Sequence, residues 1–267
     1  MDALRQLLED DPARGRLDRA ALDLATIQFP DLAPQPFLDQ LNELASRLGD
    51  RLRNFNDGRD FVETAQRYLF GELGFHGNQE DFFDPRNSCL NQVLERRTGI
   101  PIALSVLYME IGRRLAMPVF GINLPRHFIV QFDDGNYAAY IDPFHGGRTI
   151  TPRECFALAG AQAPDPALLR RVSQKQIVMR MLQNLHGVYM RQRDSARAIR
   201  TLDLLILGAP EVSAGYRSRG LLLLESKRLQ AARRDLERYL ALEPEAADRE
   251  QIRKQIQAIH QWLARVN

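Results

Sequence analysis

A histidine and an aspartate stand at the ends of two short runs that are rich in β-forming residues. His127 opens the run HFIVQF, and Asp142 closes the run YAAYID. Turn-forming residues at 133–136 separate the runs and predict a hairpin, which can bring the two side chains together. A carboxylate beside an imidazole fixes its tautomer and raises its basicity, as in the orienting half of a nucleophile–His–Asp triad. The pair can serve catalysis directly, or it can be a structural hydrogen bond that holds two strands in register.

The chain has two cysteines, Cys89 and Cys155, which are too few for a disulfide framework. Cys89 begins a short predicted helix that ends near Arg97, and the dipole at a helix start can lower the pKa of a thiol. Cys89 is therefore the candidate nucleophile to accompany His127 and Asp142. The alternative is that Cys89 is a buried, inert thiol. Cys155 follows the predicted strands and has no evident partner.

The other histidines do not complete a recognisable metal motif, because the spacings HxH, HExxH and CxxC do not occur. Acidic residues near 81–84 and 133–134 lack the ligand pattern of a calcium loop. A glycine-rich phosphate loop is also missing from the sequence. We therefore expect no metal ion and no cofactor.

The elements around the candidate residues predict an α+β fold. Apolar residues spaced by three and four predict a helix over 37–52, and a second helix is expected over 60–73. Pro101 suits the first turn of a helix, and the segment 102–116 that follows is apolar nearly all round at its start, which predicts a buried helix. Three β-rich runs follow at 119–124, 127–132 and 137–142, and these predict a small antiparallel sheet.

The chain beyond residue 173 is helical by pattern and repeats itself at a period of about 34 residues. Three positions recur with this shift: Ala198, Leu202 and Pro210 return as Ala232, Leu236 and Pro244. The pattern resembles the tetratricopeptide repeat, a helix–turn–helix unit. A last helix over 246–266 would cover the open end of the array, with Trp262 as a packing anchor.

Small residues and prolines at 159–166 have little to bury and predict a linker. The expected organisation is an α+β domain at 1–160 with a helical N-terminal region, followed by the helical repeats at 167–267.

Three segments together resemble the bacterial SirB family, whose members have a transglutaminase-like domain ahead of tetratricopeptide-type helices. They are DPRNSCLNQVLERRTGIPIALSVLYMEIGRRL, GINLPRHFIVQF and IDPFHGGR. The resemblance implies a papain-like core with a Cys–His–Asp triad, in which His127 and Asp142 match the triad histidine and aspartate. In the same register Pro101 occupies the place of the cysteine, at the start of the buried helix. Proline offers no nucleophile, so this register leaves the triad without its reactive member.

Two further cleft positions depart from the pattern that the resemblance leads us to expect. Arg126 stands where a glycine is expected before the histidine. His145 stands where an asparagine is expected after the "DPF" sequence, and it could be an extra polar ligand or merely a turn residue. Arg126 could change how open a cleft around His127 and Asp142 is.

Composition narrows the partners and the location. The formal net charge of +2 gives no strong field over the whole protein, so nucleic acid is not expected as a partner. From residue 171 onward, however, the chain has 18 basic and 10 acidic side chains, and this excess of positive charge could favour an acidic partner. The first ten residues lack the features of a signal peptide, and the sequence has no membrane-length apolar run. We expect a cytoplasmic protein, with its oligomeric state open.

Two functions from different classes follow from these observations. The first is a non-catalytic interaction or scaffold protein, which binds a protein partner through its C-terminal repeats and carries a degenerate transglutaminase-like core. The second is a cysteine-dependent hydrolase or acyl transferase that uses Cys89, His127 and Asp142.

Overall fold

The computed structural model describes residues 1–9 and 16–266. The chain forms two compact units, Met1–Met181 and Leu182–Asn267. Within the described residues, no helix is both long enough and apolar enough to cross a membrane.

The N-terminal part of the first unit is helical, as predicted. The residues described in this part form four α-helices: α1 (Asp2–Leu8), α2 (Leu17–Ala25), α3 (Gln35–Gly49) and α4 (Gly58–Ala65). A π-helical segment, Gln66–Glu72, continues α4, and Gly74 follows two residues later with a positive φ of 72° that ends the helical run. The two helices expected over 37–52 and 60–73 are thus confirmed, with shifted ends.

The middle of the first unit places short elements around one buried helix. Strand β1 (His76–Gly77) pairs in parallel with β2 (Thr98–Gly99), and α5 (Leu90–Arg96) lies between them in sequence. Helix α6 (Pro101–Arg114) follows, and every residue from 101 to 108 is buried. This burial confirms the prediction from its nearly continuous apolar sequence.

A buried ion cluster fixes α6 to the N-terminal helices. Arg114 bonds Asp18 on α2 at 2.6 Å and Glu110 on α6 at 2.7 Å, and both carboxylates are buried. Loss of Arg114 would leave two buried carboxylates poorly paired, which is a costly arrangement.

The sheet has four antiparallel strands in sequence order: β3 (Val119–Leu124), β4 (His127–Asp133), β5 (Ala138–Asp142) and β6 (Arg148–Ile150). The first three strands match the predicted runs, whereas β6 was not predicted because it is only three residues long. Helix α6 packs against β3 and β4. Helix α7 (Pro152–Leu158) follows β6 and starts with a capping box formed by Thr151 and Glu154.

The boundary between the units lies beyond the segment 159–166 that composition suggested as a linker. Leu168 and Leu169 pack against the apolar cluster that includes Ile122 on β3. The backbone N–H of Val172 donates to the Gly121 carbonyl at 3.0 Å. Residues after the exposed turn therefore still belong to the first unit, and the division falls inside α8 (Gln174–Gln192).

The second unit is all helical. After α8 it contains α9 (Ser195–Gly208), α10 (Ser213–Glu225), α11 (Leu229–Leu242) and α12 (Arg249–Val266). The recurring Ala198, Leu202, Ala232 and Leu236 are all buried. Gly220 on α10 permits close helix packing, because a Cβ there would lie 2.8 Å from Leu236 on α11. The alanine and leucine positions of the predicted repeat are therefore core positions, whereas Pro210 and Pro244 are exposed.

Candidate functional site

The β3–β4 hairpin positions His127. Leu124 and His127 are register partners, so the two residues between them, Pro125 and Arg126, form a tight turn. His127 is the first residue of β4, and its side chain is only 9% exposed.

Arg126 adopts a left-handed backbone conformation in this turn, with φ of 64°. A two-residue turn with proline first and a positive φ second favours glycine at the second position. This conformation explains why glycine is the residue expected before the histidine. The Arg126 side chain is exposed, so the substitution strains the backbone without disturbing the core.

Asp142 is held by the turn that follows it. It ends β5 and precedes a 3₁₀ turn, Pro143–His145, in which proline occupies the first position. The backbone N–H groups of Phe144 and His145 donate to Asp142 Oδ1 at 3.2 and 3.4 Å. Because Asp142 caps this turn and is fully buried, its carboxylate has a fixed orientation.

Two histidines share the Asp142 carboxylate. His127 Nε2 lies 3.0 Å from Asp142 Oδ1, and His145 Nδ1 lies 2.7 Å from Asp142 Oδ2. The structure thus brings together the two predicted triad residues and the cleft residue His145. The ring centroids of His127 and His145 are 5.5 Å apart.

Burial opposes ionisation of Asp142, but hydrogen bonds from His127 and His145 outweigh it and hold the pKa of Asp142 below its ordinary value. The carboxylate is therefore ionised at neutral pH. An ionised carboxylate between two imidazoles can orient them, hold a proton on either ring, or contribute to a cation site.

Pro101 is the first residue of α6 and is buried. Helix α6 packs against β4 and against the Pro143–His145 turn, and the Ser105 hydroxyl lies 3.5 Å from the Phe128 carbonyl. The helix that would carry a triad nucleophile is thus packed on both elements that carry the histidines. Its first position holds a side chain without a reactive group.

Cys89 lies on a different element, directly before α5. Its side chain is fully buried, and its Sγ–H donates to the Pro85 carbonyl at 3.4 Å. Burial, aided by the negative charge of Asp84, raises the pKa of Cys89 to about 12. Cys155 is buried beneath the sheet on α7, and burial raises its pKa to about 11. Both thiols are therefore protonated at neutral pH.

An aromatic cluster beside the histidines was not foreseen from the sequence. The ring of Phe144 meets His127 edge to face at 5.9 Å and Phe82 at 6.2 Å. Phe82 also contacts Phe83 edge to face, and both rings are partly exposed. The only sequence signal was the adjacency of the two phenylalanines within a turn-rich segment.

The second unit carries a separate candidate surface. An apolar hollow of about 470 Å³ lies among α10, α11 and α12. Its lining comprises Leu224, Lys227, Leu229, Gln255, Ala258, Ile259 and Trp262. The side chain of Trp262 is 52% exposed and lines the hollow. The expectation that Trp262 is a packing anchor is therefore wrong, because this residue is not buried between the helices.

Polar and basic residues lie around the hollow. The carbonyl oxygen Oε1 of Gln255 is buried and has no hydrogen-bond partner among the described residues. A shallower depression that includes Arg228 and Arg234 shares Trp262 with the hollow. This surface combines apolar area with positive charge, and both are features of a binding site.

Two family profiles match the chain. The profile described as transglutaminase-like superfamily covers residues 35–183, and a tetratricopeptide repeat profile covers residues 185–257. These matches agree with the α+β core and the helical repeats of the two units.

UPF0162 proteins match the chain over most of its length. One from Xylella fastidiosa is 34% identical over 241 residues, covering 87% of this chain and 86% of the relative. One from Pseudomonas aeruginosa is 31% identical over 242 residues, covering 88% and 87% of the two chains. Human F-box only protein 21 is 38% identical over 140 residues, which is 49% of this chain and 22% of that protein. No solved structure matches the chain. The chain therefore belongs to the UPF0162 proteins, with a transglutaminase-like superfamily domain followed by tetratricopeptide repeats.

Proposed function

We propose that this protein is a non-catalytic interaction protein, which binds a protein partner through its C-terminal repeats. The observation that carries the proposal is the apolar hollow of the second unit with its half-exposed Trp262. An exposed tryptophan beside an apolar pocket is typical of the anchor regions of protein interfaces. Tetratricopeptide-type helices provide such surfaces by stacking.

The surround of the hollow indicates the chemistry of the partner. Lys227, Arg228 and Arg234 lie along the hollow and the adjoining depression. A partner segment with an apolar side chain for the hollow and acidic residues beside it would complement this surface.

The state of the transglutaminase-like core supports a role without turnover. Pro101 stands at the position that the SirB resemblance gives to the nucleophile. Cys89, the alternative nucleophile, is buried, protonated and bonded to the Pro85 carbonyl. A thiol hydrolase or acyl transferase needs an accessible thiolate beside the imidazole, and these properties disfavour one. We also propose that the chain is a member of the SirB family, because the three segments quoted in the sequence analysis resemble that family.

The experiment compares partner capture by the intact protein and by two variants of α12. Ala258→Glu places a charge in the hollow at an exposed helical position, and Ala264→Glu makes the same change at an exposed position outside it. Capture from extract of the native cells, quantified by mass spectrometry, should show a partner set that Ala258→Glu reduces at least tenfold. Ala264→Glu should retain that set. Equal capture by both variants would contradict binding through the hollow.

A further inference from the structure

We propose that His127, Asp142 and His145 form a binding site for a divalent first-row transition-metal ion, of which zinc is the best match. One nitrogen of each histidine and one carboxylate oxygen of Asp142 all lie within 4.8 Å of one another. Two imidazoles and a carboxylate are a donor set that zinc, iron and their neighbours accept in proteins. This inference concerns the first unit and does not depend on the proposed partner binding.

The spacing of the donor atoms suits such an ion. Each imidazole nitrogen lies 2.7–3.0 Å from a carboxylate oxygen. The two nitrogens bond different carboxylate oxygens, and one donor atom from each of the three residues lies within 4.8 Å of the others. Donors at about 2.1 Å from a tetrahedral ion are roughly 3.4 Å apart, so side-chain rotations that close the widest gap by about 1 Å would complete the site. Neutral tautomers that carry their proton on the outer ring nitrogen would present both inner nitrogens as ligands.

The surrounding structure holds the donors in place before any ion arrives. Asp142 Oδ1 accepts from the backbone N–H groups of Phe144 and His145, which leaves Oδ2 with only the His145 ring as a partner among the described residues. His127 is fixed at the start of β4 and packed against the edge of Phe144. A site whose ligands are already oriented loses little conformational freedom on binding.

The site also has an entry path. His127 and Asp142 are buried, but the side chain of His145 is 36% exposed and borders solvent. With three protein ligands, a four-coordinate ion would keep one position for water or another small ligand on that side. His145 is thus the residue that converts a histidine–aspartate pair into a three-ligand set.

The competing account of the same geometry is a hydrogen-bonded network without a metal. In that account one carboxylate orders two imidazoles, and His145 is only a turn residue. The two accounts differ in whether the unchanged protein binds a metal ion at all, and in whether removal of the His145 ring weakens that binding.

The test uses the full chain without a histidine tag. Cobalt(II) titration monitored by visible absorption, and zinc titration by calorimetry, should each show one site per chain. His145→Asn should weaken the affinity for the metal ion by about 100-fold or more. Loss of a residue that only hydrogen-bonds to a metal ligand typically weakens the affinity by about 10- to 100-fold, so a larger effect indicates a direct ligand. His76→Asn removes an exposed histidine outside the cluster and should leave the affinity unchanged.

His145→Asn should fold, because its side chain is partly exposed and asparagine is the residue that the sequence resemblance leads us to expect there. Its circular dichroism spectrum should match that of the unchanged protein. The proposal is overturned if the unchanged protein binds neither ion. It is also overturned if His145→Asn binds as tightly as the unchanged protein, or if His76→Asn abolishes binding.

Discussion

The imidazole of His127 and the carboxylate of Asp142 are joined at 3.0 Å across strands β4 and β5, in a buried environment. The same carboxylate also accepts from two backbone N–H groups and the ring of His145. One side chain therefore ties together the start of β4, the end of β5 and the turn that follows. This relationship makes Asp142 a stability determinant as well as a site residue.

Asp142→Ala should destabilise the first unit. A buried hydrogen bond to a charged group contributes about 1–3 kcal/mol, and removal of the carboxylate leaves buried donors unpaired. The melting temperature should fall by several degrees, at roughly 2–4 °C per kcal/mol for a domain of this size. Differential scanning calorimetry measures the change, with the exposed Asp31→Ala as control. An unchanged melting temperature would show that His127 and Asp142 are not paired in solution.

Asp142 should also contribute to acid sensitivity. Because its pKa is lowered in the folded state despite burial, the unfolded chain binds a proton at Asp142 more readily than the folded chain does. Its stabilisation is therefore complete above the ordinary value of 3.8 and is lost as the pH falls through the lower folded pKa. We expect the free energy of unfolding, measured with urea from about pH 5 to about pH 2.5, to fall less steeply in Asp142→Asn than in the unchanged protein. Parallel curves for the two proteins would contradict the assigned direction of the pKa.

Arg126→Gly should stabilise the protein. Arg126 has a φ of 64°, which costs a residue with a side chain roughly 1–2 kcal/mol and costs glycine almost nothing. Part of this gain is lost to the greater freedom of glycine in the unfolded chain, so we expect a net gain of about 1 kcal/mol. Asn123→Gly, at an exposed position within β3, should instead destabilise by about 0.5–1 kcal/mol. Equal effects of the two substitutions in denaturant unfolding would argue against the left-handed turn.

Both cysteines should react slowly with iodoacetamide in the native protein. Its pKa, raised to about 12, keeps Cys89 almost entirely in the thiol form at neutral pH, and burial excludes the reagent. Cys155 is buried and also has a raised pKa. Mass spectrometry should find rapid labelling of both only after denaturation. Fast native labelling of Cys89 that disappears in His127→Ala would favour the thiol enzyme instead.

The sequence predicted the large elements of the site better than its details. The apolar run of α6 and the runs of β-forming residues in β3 and β4, which turn residues bound, are strong local signals, so the helix and the strands were predictable. The His127–Asp142 pairing followed from strand adjacency. The involvement of His145 in a three-residue cluster did not, because it depends on the tight 3₁₀ turn after Asp142 and matches no sequential metal motif.

The domain boundary and the role of Trp262 also escaped the sequence analysis. The segment 159–166 has a linker composition, but Leu168, Leu169 and Val172 return to the sheet, and such long-range contacts leave no local signal. Trp262 lies at an apolar helical position. Whether such a residue packs inward or lines a hollow depends on helix orientation, which periodicity alone does not specify.

The central claim about the core is that Pro101 occupies the nucleophile position of a triad whose other two members remain. Pro101→Cys tests this claim most directly, because proline is tolerated but not required in the first turn of a helix, so the variant should fold. Ultraviolet absorption of the thiolate across a pH series, in a Cys89→Ser and Cys155→Ser background, measures the pKa of the introduced thiol without requiring a reagent to reach this buried position. We predict a pKa well below the ordinary value of about 8.5, and a return toward that value when His127→Ala is added. An ordinary thiol whose pKa does not respond to His127→Ala would contradict the claim.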